Sequence, residues 1–128
     1  MKILLSIHWV LGVAIWYTIS GILHDFFVIK AHKGPYNRDL LRLLMDGHVL
    51  ILSGIILIIC YVMLLQKMQY VSLITSAIAI GMLIYCGMIY PFLKSHFTMF
   101  LSLMLIIVSI RAYINFSDVQ PIIQTQYK

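Results

Sequence analysis

Four long apolar runs, separated by short polar breaks, are the feature that most restricts how this chain can fold. The runs cover about residues 3–29, 40–65, 70–92 and 96–116. A helix needs about 20 largely apolar residues to cross a bilayer, so each run is long enough for one span. Because a backbone in lipid must satisfy its own hydrogen bonds, we expect helices rather than strands. The pattern predicts an all-α integral membrane protein.

The composition excludes an ordinary soluble domain. Of the 128 residues, 62% are apolar and only 10% are charged, whereas soluble domains have about 25% charged residues. The mean hydropathy is +1.01. Nucleic acid is excluded as a partner because no soluble surface is left to carry a basic face. We therefore expect one four-span transmembrane domain over residues 1–128, with a polar tail at 118–128, and the lipid bilayer as its first partner.

Short connections predict that neighbouring spans run antiparallel. Residues 66–69 and 91–95 form two short turns, and a basic loop of about ten residues joins the first two spans. The first run is too long for the apolar region of a signal peptide and lacks a small-residue cleavage site, so we expect it to be a retained span. The fold class that follows is an integral membrane antiparallel four-helix bundle.

The basic residues give a prediction of orientation. We call the membrane face that holds the N-terminus side A and the opposite face side B. Cytoplasmic loops are richer in Lys and Arg, which favours side B, and with it the loop at 30–42, as cytoplasmic in a bacterial inner membrane. Five basic residues fall on side B and four on side A: Lys30, Lys33, Arg38, Arg42 and Lys94 against Lys2, Lys67, Arg111 and Lys128.

Ionisable residues within spans are candidates for function because they are costly in lipid. His8 falls near side A, whereas most of the others fall within about two turns of side B. Three histidines from three spans could converge there on a transition-metal ion or a haem iron. The candidates are His8, His24, Asp25, Asp46, His48, His96 and Arg111, of which His24, His48 and His96 form the predicted metal or haem site.

Structural roles compete with that hypothesis. At about 100° per residue, Asp46 and His48 point about 160° apart and cannot both face one centre. Arg42 lies one turn before Asp46, so an ion pair within the helix would explain this aspartate. Placement in the headgroup region would explain His24 and Asp25.

Small and hydroxyl residues predict how the spans pack, because membrane helices associate through such side chains. Ser95 is also the expected N-cap of a helix that begins at His96. The two cysteines are expected to be small buried hydrophobic residues. The predicted packing residues are Ser72, Ser76, Ala79, Gly81 and Gly87 in span three and Ser95, Ser102 and Ser109 in span four.

The first half of the chain resembles a group of small four-helix membrane proteins that includes the CopD copper-resistance family and the HemJ-type protoporphyrinogen oxidases. The resemblance covers about residues 3–58. It consists of His8 and Trp16 in span one, followed by R-L-L-M-D-G-H-V-L-I-L-S-G from Arg42 to Gly54. It implies that His8 is an iron ligand and that Arg42 and Leu43 match the Arg-Leu start of span two. HemJ-type proteins carry a Lys and a His in span three, and residues 70–92 contain neither.

Three functions are compatible with these patterns. The first is an accessory or assembly subunit that docks to other membrane subunits or to itself. The second is a redox-linked protein that binds haem b or a transition-metal ion, with Arg42 or Lys30 near the haem propionates. The third is a small oligomeric carrier or channel. No nucleophile motif or phosphate-binding loop occurs in the chain. We expect enzyme activity only through a bound haem, as in a membrane oxidoreductase.

Overall fold

Each apolar run forms one continuous α-helix. The helices are α1 (Lys2–Ala31), α2 (Arg38–Leu65), α3 (Gln69–Ile89) and α4 (His96–Ser117) in a computed structural model. The structure describes residues 2–90 and 95–117, with side chains from Ile7 onward. All four helices are long and apolar enough to cross a membrane, and the described ranges contain no strand. The predicted all-α four-helix bundle is confirmed, while the expected end of span three at Phe92 and the tail at 118–128 lie outside the described residues.

The helices differ in length, and this difference positions the polar residues near side B. The first two helices have 30 and 28 residues, or about 45 and 42 Å, whereas α3 has 21 residues, or about 31 Å. Because α2 and α3 are joined by a tight turn at side A, α2 continues about 10 Å beyond Ile89 at side B. Both α1 and α2 are therefore longer than the hydrocarbon core of a typical bilayer, which is about 30 Å thick.

Asn37 starts α2 by capping its first turn. Its backbone is extended, and its side-chain oxygen accepts a 2.9 Å hydrogen bond from the Leu40 N–H. This satisfies one of the N–H groups that have no partner within the helix. Asp39 in the first turn adds a negative charge at the positive end of the helix dipole. The helix thus begins two residues before the expected boundary at Leu40.

The turn between α2 and α3 is a Schellman motif, in which the backbone reverses through one left-handed residue. Lys67 has φ of 58° and donates its N–H to the Leu64 carbonyl at 3.0 Å, while the Met68 N–H bonds the Met63 carbonyl at 3.4 Å. Glycine is the usual residue at this position because it has no Cβ. Lysine therefore adopts a strained conformation here.

The first two helices pack backbone against backbone through glycines. A Cβ atom added at Gly21 would lie 2.5 Å from the Gly47 carbonyl oxygen, and one at Gly54 would lie 2.7 Å from the Ala14 carbonyl oxygen. Such distances are far shorter than real Cβ contacts, so only glycine fits. Gly47 and Gly54 are seven residues apart and therefore share one face of α2. This contact makes α1 and α2 a tight pair.

The four helices form a ring in chain order. The most extensive contacts join α1 to α2 and α3 to α4, with smaller contacts between α1 and α4 and between α2 and α3, and the described residues make none across the diagonals. At the centre, the Tyr17 hydroxyl lies 2.6 Å from Ser102 Oγ, which itself bonds the Thr98 carbonyl at 2.8 Å. Cys60 and Cys86 are free and buried in this core, as the sequence predicts.

Candidate functional site

The ionisable residues near side B fall into two pairs that face different neighbours. Asp46 and His48 are two residues apart on α2 and point to opposite sides of the helix. Asp46 faces α3, where it accepts a hydrogen bond from Tyr85, and His48 faces α1, where it contacts Asp25. The divergence predicted from helical geometry is what separates these two pairs.

The Asp46 carboxylate is held by a tyrosine rather than by an arginine. The Tyr85 hydroxyl donates a 2.6 Å hydrogen bond to Asp46 Oδ1. Arg42 is exposed and makes no ion pair with Asp46, since the single ion pair among the described residues joins His48 to Asp25. The predicted Arg42–Asp46 ion pair is wrong, because Asp46 turns into the bundle while the longer Arg42 side chain extends outward at the protruding end of α2.

The Asp25–His48 pair lies on the outer side of the α1–α2 contact. His48 Nδ1 is 3.0 Å from Asp25 Oδ2 and 2.8 Å from the Leu44 carbonyl oxygen. Both partners are acceptors, so Nδ1 carries the proton. The His48 side chain is 65% exposed and that of Asp25 is 14% exposed. Asp25 Oδ1 is buried with no hydrogen-bond partner among the described groups, and it lies where a Cβ on Gly47 would collide with it.

His24 is anchored to the neighbouring helix by a backbone contact. Its Nε2 atom is 3.0 Å from the Leu43 carbonyl oxygen on α2. Because a carbonyl can only accept, Nε2 carries a proton in this contact. His24 therefore bridges α1 and α2 one turn away from the Gly21–Gly47 contact.

His96 begins α4, and it does not form a three-histidine cluster with His24 and His48. Its Nε2 atom is 3.5 Å from the Tyr90 hydroxyl, and the two rings meet edge to face at 5.0 Å between centroids. The Ser95 hydroxyl makes no capping bond to the described part of α4, since Ser95 Oγ is buried without a partner there. The expected side-chain cap is therefore not formed, although the Ser95 carbonyl accepts the first helical bond from Met99.

The structure does not assemble the predicted three-histidine site. Within residues 2–90 and 95–117, no group of three or more His, Cys, Asp or Glu side chains lies close enough to hold a metal ion. The three histidines instead contact a carbonyl, a carboxylate and a tyrosine. The haem or metal hypothesis stays a prediction that rests on the sequence pattern.

His8 lies at the opposite end of the bundle from the other candidates. It is exposed, and its Nδ1 atom is 2.9 Å from the Tyr61 hydroxyl on α2. Tyr61 and Tyr85 were not among the residues predicted from the sequence. Counted in residues from the ends of the apolar runs, each tyrosine lies at the same depth in its span as the ionisable group that it bonds. That match in depth is the signal by which they could have been found.

A cavity of about 170 Å³ lies beside Asp46 at the side-B end of the bundle. Three helices and the residue before α4 contribute to its walls. Most of the lining surface is apolar, and a carboxylate, hydroxyls and an imidazole supply the smaller polar part. The lining residues are Ser20, His24, Asp46, Leu50, Tyr85, Ile89 and Ser95. Two residues that the sequence singled out, His24 and Asp46, thus meet at one cavity.

Comparison of the chain with known protein families, with characterised proteins and with solved structures found no match. The resemblance of spans one and two to the CopD and HemJ-type group therefore stays a prediction. The geometry of the chain itself is the basis for the proposals that follow.

Proposed function

We propose that this protein is an accessory or assembly subunit of a larger membrane complex. Helices that are long and apolar enough to cross a membrane make up most of the described chain. Contacts with other subunits would therefore be made largely between helices, side by side in the bilayer. Such contacts depend on small residues that let two backbones approach closely.

The observation that carries this proposal is the outward face of α3. Ala77 and Gly81 are exposed and four residues apart, which places one above the other on the same face. A Cβ added at Gly81 would meet no atom within 4 Å. A glycine inside a helix costs about 1 kcal/mol relative to alanine, and the packing within this bundle gives no reason for that cost. A second helix lying against Ala77 and Gly81 would supply the reason.

The contrast with the glycines of α2 supports the same interpretation. Gly47 and Gly54 are buried because α1 lies against them, so small residues in this protein do mark close helix contacts. The exposed His48 ring, paired with Asp25, adds a polar group on the outer surface of α1 and α2. Ionisable groups within spans usually face other protein or water rather than lipid, and a neighbouring subunit would cover this one.

The test is the size of the native complex in mild detergent, for the wild type and for two matched glycine variants. Gly81→Leu fills the outward face of α3. Gly12→Leu makes the same change at an exposed helical glycine of α1 that also has open space around it. Gly12 serves as the control because the residues one turn away, His8 and Trp16, are large and prevent the close backbone contact that Ala77 and Gly81 allow. We expect the wild type and Gly12→Leu to migrate with the same fixed partner subunits in constant ratio. Gly81→Leu should migrate without them while keeping its helical content.

Two results would contradict the proposal. One is a wild-type protein that migrates at the mass of the 14.8 kDa chain alone or of a homo-oligomer. The other is an absorption spectrum with a Soret band that sharpens on reduction, since that would favour the haem b hypothesis. In that case, single substitutions of His8, His24, His48 and His96 would locate the iron ligands.

The proposed location is a bacterial inner membrane, with the loop at 30–42 on the cytoplasmic side. Support comes from the basic residues Lys30, Lys33, Arg38 and Arg42, which lie on the protruding side-B ends of α1 and α2 or on the loop between them. A single cysteine at Lys33, in a chain whose Cys60 and Cys86 are replaced by alanine, tests the orientation. We expect an impermeant thiol reagent to label it only after the spheroplasts are lysed, whereas a cysteine at Lys67 should already be labelled in intact spheroplasts.

A further inference from the structure

The Asp46 carboxylate carries a charge that the described part of the protein does not neutralise. One of its oxygens accepts the Tyr85 hydrogen bond, and no Lys, Arg or His among the described residues lies within ion-pair distance of it. A carboxylate near the hydrocarbon edge is costly unless a counter-charge or several donors satisfy it. Asp46 also borders the 170 Å³ cavity. The cavity therefore offers a negative charge to whatever occupies it.

Other polar groups around this cavity can also accept hydrogen bonds, and the hydroxyls among them can donate as well. Ser95 Oγ is buried and has no partner among the described groups, and Ser20 contributes a second hydroxyl. The His24 ring donates through Nε2 to the Leu43 carbonyl, and its Nδ1 atom is an acceptor in the neutral form of the ring. A positively charged group with several N–H donors could donate hydrogen bonds to the carboxylate, the two hydroxyls and the imidazole nitrogen.

We propose that this cavity binds a primary ammonium group, carried by a lipid headgroup or by a small free amine. An –NH₃⁺ group has three donors and no acceptor, which matches a set of acceptors around one carboxylate. A cavity of about 150 Å³ accommodates a benzene-sized molecule, so 170 Å³ is sufficient for an ethanolamine or ethylammonium group. Leu50 and Ile89 would contact its methylene carbons.

Other positively charged ligands fit the lining less well. A quaternary ammonium has no N–H donors and is usually bound by several aromatic rings, whereas Tyr85 is the one Phe, Tyr or Trp among the described residues that line this cavity. A transition-metal ion needs more His, Cys or carboxylate ligands than the described residues bring together. The lining therefore selects for hydrogen-bond donors on a compact cation.

Two lipids that differ only in their ammonium group provide the first experiment. Delipidated wild-type protein is equilibrated with equal amounts of dioleoyl phosphatidylethanolamine and dioleoyl phosphatidylcholine, and native mass spectrometry measures how much of each is retained. In a second arm, thermal unfolding of lipid-free protein in detergent is followed with ethylamine or with tetramethylammonium. A preference for the ethanolamine lipid identifies a headgroup, whereas stabilisation by ethylamine without a lipid preference identifies a free amine.

Asp46→Asn is the variant that tests the carboxylate, and Asp39→Asn is its control. The asparagine keeps an oxygen for the Tyr85 hydroxyl and removes the charge, while Asp39 is exposed in the first turn of α2. We expect Asp46→Asn to weaken binding about tenfold or more, the factor expected for one hydrogen bond to a charged group. Asp39→Asn should bind like the wild type. If Asp46→Asn does not fold, the lipid and amine comparisons in the wild type decide the question.

Three results would overturn the proposal. The first is equal retention of the two lipids together with no stabilisation by ethylamine. The second is amine binding that Asp46→Asn leaves unchanged. The third is amine binding by Lys94→Met but not by the wild type. This result would mean that Lys94, one residue before Ser95, is the partner of the Asp46 carboxylate. Loss of partner subunits in Gly81→Leu is measured separately, so the failure of one proposal does not affect the other.

Discussion

The Tyr85 hydroxyl donates a 2.6 Å hydrogen bond to Asp46 Oδ1 and thereby joins α3 to α2 near side B. The contact between these two helices is less extensive than that between α1 and α2. The Lys67 turn connects them at side A, and the Ser53 hydroxyl contacts the Met82 sulfur at 3.2 Å between the two ends. The tyrosine therefore holds together the end of the pair that the turn does not constrain.

Tyr85→Phe should destabilise the bundle because it leaves the Asp46 carboxylate without its donor. A lost hydrogen bond to a charged group costs about 1.5–3 kcal/mol. The free energy of unfolding, measured by titration with sodium dodecyl sulfate in mixed micelles, checks this. Tyr70→Phe is the control, because Tyr70 is 72% exposed. Equal stability of the two variants would contradict the structural role of Tyr85.

Gly47→Ala and Gly81→Ala should change stability in opposite directions. A Cβ at Gly47 would collide with Asp25 Oδ1 and lie 2.9 Å from the Gly21 carbonyl, whereas one at Gly81 would meet nothing. We expect Gly47→Ala to lose about 2 kcal/mol or more, by overpacking. Gly81→Ala should gain up to about 1 kcal/mol in the isolated subunit, from helix propensity. The same titration measures both, and a loss at Gly81 would show that α3 packs differently.

Lys67→Gly should stabilise the protein by relieving the left-handed backbone of the α2–α3 turn. A residue with a Cβ costs roughly 1–2 kcal/mol in this conformation, although the greater freedom of glycine in the unfolded chain offsets part of the gain. A net increase of about 0.5–1 kcal/mol in unfolding free energy is expected. Lys67→Ala keeps the Cβ and should give no such increase. Equal gains in both variants would assign the effect to the lysine charge.

Tyr17 and Ser102 should be energetically coupled, because their hydroxyls meet at 2.6 Å in the centre of the bundle. A double-mutant cycle with Tyr17→Phe and Ser102→Ala should give a coupling of about 0.6 kcal/mol, the average for hydrogen bonds between membrane helices. The control cycle combines Tyr17→Phe with Ser109→Ala, because the Ser109 hydroxyl bonds the Leu105 carbonyl of its own helix. Its coupling to Tyr17 should be close to zero. Equal couplings would indicate that α1 and α4 meet in another register.

Helical geometry predicts which candidates separate but does not predict their partners. The angle between Asp46 and His48 places them on opposite sides of α2, and the structure has them there. The predicted Arg42–Asp46 pair fails because spacing along one helix says nothing about a tyrosine on another helix. The spacing of the small residues of α3 likewise does not predict which of them are buried. Ser72 and Ala79 are buried, whereas Gly81 and Gly87 are exposed.

The sequence by itself determined the number of helices, their approximate ends and the antiparallel order of neighbours. These features depend on hydropathy along the chain and on the length of each connection, both of which are local. Only the tertiary structure decided that Asp46 faces Tyr85, that His48 faces Asp25 and that the histidines stay apart. Those contacts depend on how far each helix is rotated about its axis. That rotation is set by close packing against other helices, as at Gly47, and no single span encodes it.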